Sequence, residues 1–75
     1  MAQRIATDQD ILDFIEQYVR VHGFSPSLAD IGRGVGLTSR SAILRRISKL
    51  RERGKLTYMD GVPRTIRRAD GLRDI

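Results

Sequence analysis

The apolar positions of this chain change period as it is read from one end to the other. Ile11, Leu12, Ile15 and Val19, with Tyr18 beside them, recur at three- and four-residue spacing, the signature of one buried helix face. Thr7 followed by Asp8-Gln9-Asp10 supplies an N-cap and first-turn acids that oppose the positive end of the helix dipole. His22-Gly23 ends the run, because glycine suits the left-handed position after a helix. A first helix is expected over these residues, with Phe14 at the edge of its stripe and Met1–Ala6 as a lead-in.

Phe24-Ser25-Pro26 cannot continue that helix, since proline moves the residue before it away from the helical region. Ser27 with Asp30 three residues later has the form of a capping box. A short second helix is expected from Leu28 to about Val35, burying Leu28, Ile31 and Val35. Gly32 and Gly34 each weaken it by about 1 kcal/mol relative to alanine. Gly32 is read as a point where another helix comes close. Gly36 ends the element and Leu37 plugs the turn.

Thr38-Ser39 opens a third helix, expected to run to about Arg53 and to close at Gly54. At about 100° per residue, Ile43, Ile47 and Leu50 share a narrow stripe. Ser41, Leu44, Arg45 and Ser48 fall roughly opposite, a short, basic outward face. Two helices joined by a tight glycine-containing turn, the second of them basic, form a helix-turn-helix pattern.

The period then changes to two. Leu56, Tyr58 and Val62 alternate with Lys55, Thr57 and Met59, and Asp60-Gly61 is a hairpin turn signal. Pro63, which lacks a donor, belongs at a loop edge. Arg64–Arg68 reads as the return strand, with Ile66 inward and the arginines outward. The expected fold is α+β and mostly helical: a winged helix-turn-helix of three helices and a C-terminal two-stranded wing. Residues 1–69 form the domain and 70–75 a tail or the start of a linker.

Charge sharpens the picture. The net charge of +5 conceals −2 on residues 1–38 and +7 on residues 39–75. Twelve of the fourteen basic residues are arginine, whose fork suits phosphate and guanine. A basic half on a neutral-to-acidic scaffold points to a polyanion; an Arg-biased solvated surface is the bland alternative. There is no cysteine and only one histidine, so disulfides, thiolate metal sites and ordinary zinc sites are excluded. The acids of the first helix are explained by its dipole, and no serine has an identifiable base. Neither an enzyme activity nor a metal, cofactor or small-molecule ligand is expected. No apolar run is long enough for a membrane span and no signal-peptide core is present, which gives an expected location in the cytoplasm, at the nucleoid.

Pro26-Ser-Leu-Ala-Asp-Ile31, Gly36-Leu-Thr-Ser39, Leu50-Arg-Glu-Arg-Gly54 and Gly61-Val-Pro-Arg-Thr-Ile-Arg67, in this order and spacing, resemble the amino-terminal domain of LexA, the SOS repressor. The likeness covers roughly residues 7–68. It implies that the third helix enters the major groove of DNA, with Ser39, Ser41, Ala42, Leu44 and Arg45 near the bases. It also implies that the wing around Asp60 to Arg64 lies toward the backbone and minor groove. The chain departs from the familiar pattern at three of these positions. Known repressors of this kind often have asparagine at the position of Ser41 and acids at those of Leu44 and Arg45, so the docking is expected to carry over and the operator sequence is not. LexA repressors also continue into a dimerising domain whose Ser–Lys pair cuts the chain. This chain is therefore expected to be either a part of a longer protein or a compact relative without that half.

Ser41, Ala42, Leu44, Arg45 and Ser48 are the expected base readers. Arg45 matches guanine O6 and N7; a phosphate contact or a solvated arginine is the alternative. Leu44 suits a thymine methyl, the core edge or a protein contact. Ser27, Ser39, Arg40, Lys49, Arg64 and Arg67 are the expected phosphate contacts, although Ser39 also serves as an N-cap and Lys49 favours the helix dipole. Charged strands also deter edge-to-edge aggregation, a second use for the wing arginines. The expected partner is double-stranded DNA, a two-fold symmetric operator bound by two copies. The competing functions are a sequence-indifferent architectural DNA binder and a winged-helix protein-interaction module.

Overall fold

The computed structural model describes residues 6–69. The expected tail and all but the last residue of the expected lead-in lie outside the described residues. Three helices, α1 (Asp8–His22), α2 (Leu28–Val35) and α3 (Arg40–Glu52), precede an antiparallel pair of short strands, β1 (Leu56–Thr57) and β2 (Arg67–Arg68). The architecture is a winged helix.

Side chains and backbone set each helix end. Thr7 accepts from the Asp10 N–H at 3.1 Å while the Asp10 carboxylate accepts from the Thr7 N–H at 3.0 Å, so α1 opens on a full capping box. Ser27 and Asp30 repeat the device on α2. Ser39 caps α3 by accepting from the Ala42 N–H. At the far end of α3, Gly54 at φ 74° lets its own N–H reach the Arg51 carbonyl and the Lys55 N–H reach that of Leu50. This Schellman closure passes the chain directly into β1.

Ile11, Leu12 and Ile15 from α1, Ile31 from α2, Ile43, Ile47 and Leu50 from α3, and Leu56 and Ile66 from the wing form one buried cluster. Leu28 and Val35, expected inside, lie half-buried at its edge. Ala6 is buried as well, and its carbonyl accepts from Arg46, so Ala6 is part of the packed domain. Gly32 is the expected close approach: a Cβ there would lie 2.6 Å from Ile43 Cδ1 and 2.7 Å from the Leu37 carbonyl oxygen. Gly34 proves to be a second one, with the Phe14 ring packed over it.

The wing differs from the expected hairpin. Pairing is confined to Leu56 opposite Arg68 and Thr57 opposite Arg67, with residues 58–66 forming a loop. Asp60-Gly61 does make a turn, closed by the Val62 N–H on the Met59 carbonyl. Its type II form, with Gly61 at φ 74°, does not carry the chain straight back into a strand. Thr65 stitches the loop, accepting from the Met59 N–H and donating to the Val62 carbonyl. The return strand cannot start at Arg64, because Pro63 has no donor and Arg64 adopts φ 60°, outside the β region. Val62 is consequently exposed.

Candidate nucleic-acid interface

The outward face of α3 follows from its inward one. With Ile43, Ile47 and Leu50 buried, Ser41, Leu44 and Arg45 are exposed and Ala42 half-buried. Arg40 and Lys49 border the same face, both exposed. Leu44 retains 44% of its surface, so much of its side chain faces outward beside the core. It lines an open groove of about 510 Å³ together with Arg40 of α3, Leu28 of α2, and Met59, Val62 and Pro63 of the wing. Helix and wing thus flank one concave surface. The remaining expected base reader, Ser48, is half-buried and its hydroxyl lies 3.2 Å from that of Tyr58, which ties this serine to the wing.

Ion pairing sorts the cations. Arg46 and Arg53 both bind Asp8, at 3.0 and 2.9 Å. Arg51 holds Asp60 at 2.9 Å and stacks 4.0 Å over the Tyr58 ring. Arg20 pairs with Glu16, Arg33 with Asp30, and Arg68 with Glu16 and Asp13. The expected outward course of Arg68 fails for that reason: as the partner of inward Leu56 it points at the acids of α1. Among the described residues, Arg40, Arg45, Lys49, Lys55 and Arg67 make no ion pair. Three of these five lie on the outward part of α3, and Arg67 and Lys55 lie on the wing strands or at their start. In the sequence Lys55 shows only as an outward strand position; that its charge is unpaired depends on the fold.

Arg64 is the largest departure. Instead of pointing away, its Nη1 donates to the Ser25 carbonyl at 3.2 Å, to Asp30 Oδ2 at 3.2 Å and to the Tyr18 hydroxyl at 3.4 Å. Its guanidinium lies 5.2 Å from the Phe24 ring centre. Asp30 is the hub of this cluster, accepting also from the Ser27 N–H, the Tyr18 hydroxyl and Arg33. The Ser27 backbone N–H above all, then the Tyr18 and Ser27 hydroxyls and the Arg64 charge, hold the Asp30 carboxyl at about 2, against the upward push of its burial. The capping box was legible in Ser27-x-x-Asp30; its arginine, thirty-four residues away, left no local signal.

Ser27 and Ser39 cap α2 and α3. The Ser27 hydroxyl is engaged with Asp30, whereas the Ser39 hydroxyl, accepting from the Ala42 N–H, keeps its proton for a further acceptor. The N-terminus of α3 therefore offers a donor and a positive dipole end that suit phosphate. Among the described residues no cluster of His, Cys, Asp and Glu suits a metal ion, and no helix is long and apolar enough to cross a membrane.

A family model, the LexA DNA binding domain, matches residues 2–65. The chain belongs to the LexA DNA-binding domain family. It is 39% identical over 66 residues to the LexA repressor of an Exiguobacterium species, a match covering 88% of this chain and 32% of that protein. It is 43% identical over 58 residues to the LexA repressors of Bacillus mycoides and Bacillus cereus, covering 77% of this chain and 28% of each relative. The chain spans about a third of the length of the LexA repressors it matches. The LexA-like resemblance in the sequence thus reflects membership, and the winged helix is its DNA-binding domain.

Proposed function

We propose that this domain is the reading head of a LexA-type transcriptional repressor of SOS-response genes, binding double-stranded DNA sequence-specifically. The carrying observation is the distribution of charge: most arginines are spent on internal acids, while Arg40, Arg45 and Lys49 stay unpaired on the outward part of α3. In this proposal α3 enters the major groove. Arg45 takes guanine through O6 and N7, and Leu44 and Ala42 take thymine methyls. Ser41 and Ser48 let the helix approach closely, Ser48 while held by Tyr58. Ser39, Arg40, Lys49 and Arg67 bind phosphate, joined by Lys55. Arg64 reaches the backbone only through the N–H groups that its internal contacts leave over.

Two copies on half-sites about 34–36 Å apart would give a two-fold symmetric operator. Selection of bound duplexes from a random pool, followed by competition, tests the proposal. A symmetric motif preferred by orders of magnitude is expected; a preference of no more than a few-fold for any sequence would replace sequence reading with architectural binding. The apolar lining of the α3–wing groove, with Leu44, Met59 and Val62 exposed, favours the protein-interaction module as second reading. That reading takes over if reversing the charges of Arg45 and Arg67 leaves duplex binding unchanged.

A further inference from the structure

We propose that Arg64 is the positioning residue that sets the wing against the helix-turn-helix, so that α3 and the wing meet DNA as one surface; this rests on the DNA-reading function proposed above. Arg64 lies at the end of the loop that carries the wing tip, directly after Pro63. Its contacts reach back to three separate parts of the helical body: Tyr18 on α1, Ser25 and Phe24 in the connection, and Asp30 in the first turn of α2. It is the only non-glycine among the described residues at positive φ. A side chain with a Cβ keeps that conformation where its surroundings over-determine it. With this left-handed backbone the side chain reaches the helices.

Buried Ile66 and the Ser48–Tyr58 hydroxyl contact anchor the two ends of the loop; the tip between them has fewer fixed points. The strands pair over two residues each, and the Thr65 bonds stay within the loop. Arg51 links Asp60 and Tyr58 to α3, which fixes one side of the loop. Arg64 fixes the other, and it does so on Asp30, the carboxylate that caps α2. A phosphate ligand would be built differently: its charge would stand unpaired, as those of Arg40 and Lys49 do, instead of beside a carboxylate that is 12% exposed. Lysine keeps the charge and loses the planar fork and its stacking, so the two roles separate under substitution.

The test uses the 75-residue chain, labelled with ¹⁵N, and the duplex that the wild-type domain selects. Heteronuclear relaxation of the amides at residues 59–62 reads wing order without DNA. Titration reads affinity with it. In Arg64→Lys the wing amides are expected to loosen while those of α1 and α3 hold, and affinity to fall about tenfold, the scale of one lost charge-assisted hydrogen bond. Tyr18→Phe removes one hydroxyl from the same cluster with no change of charge, and is expected to shift both readouts in the same direction, less far. Wild-type wing order and affinity in Arg64→Lys would overturn the proposal and leave Arg64 as a charge that any cation replaces. If Arg64→Lys unfolds the whole domain, Tyr18→Phe decides: an unchanged wing overturns the proposal, a loosened one supports it. If the wild-type domain selects no duplex, DNA reading fails, and the relaxation data still test whether Arg64 orders the wing.

Discussion

Arg45 and Lys49 lie one turn apart on α3, yet their removal is expected to read differently. Arg45→Ala should cost about 1–3 kcal/mol of discrimination at a single base pair, visible when the selected duplex competes with versions substituted one position at a time. Lys49→Ala should weaken binding to all duplexes alike and flatten the salt dependence by about one unit of slope. Gly32→Ala sets two effects against each other. Helix propensity favours alanine by about 1 kcal/mol, but the new methyl would meet Ile43 and the backbone oxygen of Leu37 at under 3 Å. A backbone atom cannot rotate aside, so overpacking of about 1–3 kcal/mol should win. The check is a lower denaturation midpoint at unchanged slope.

The first turn of α2 joins stability to pH. Asp30 titrates at about 2 in the folded domain against about 3.9 in an unfolded chain. Between those values the unfolded chain binds more protons, so stability rises with pH across that range and is lost on acidification. The contribution of Asp30 is complete above about pH 5, declines as the pH drops through 4, and is gone below 2. Thermal melts from pH 7 to pH 2 should show this loss in the wild type and a smaller one in Asp30→Asn, which is already less stable at neutral pH. The elements themselves were largely legible in the sequence, because caps and apolar periods are local: Thr7, Ser27 and Ser39 each start a helix where expected, and Ile43, Ile47 and Leu50 are buried. The return strand was not. Alternation at Arg64–Arg68 reads as extended, but Pro63 has no donor to start the ladder, and Arg64, at φ 60°, is held by Asp30, Tyr18 and Ser25, contacts that have no local signature.

At the scale of the whole molecule the question is which charges remain for a partner. Sequence showed a basic carboxy-terminal half but not which cations were taken, since Arg46 and Arg53 find Asp8 some forty residues away and Arg68 finds Glu16. Those pairs span the fold and have no signature in spacing. The unpaired Arg40, Lys49, Lys55 and Arg67 set an expectation for salt: if all four neutralise phosphates, log K should fall against log salt with a slope of about −3 to −4 per domain. Fluorescence anisotropy across a salt series measures it, and a slope near zero would contradict phosphate binding.

The Schellman closure at Gly54 joins α3 to the wing without a linker: the N–H of Lys55, the residue before β1, donates to the Leu50 carbonyl in the last turn of the helix. Two parts that grip a duplex from such a joint cannot adjust their grips separately. On the proposed docking they act as a fixed gauge for the distance from one groove to the next. DNA wound too tightly or too loosely would then seat the helix or the wing, but not both, and the domain would respond to supercoiling as well as to sequence.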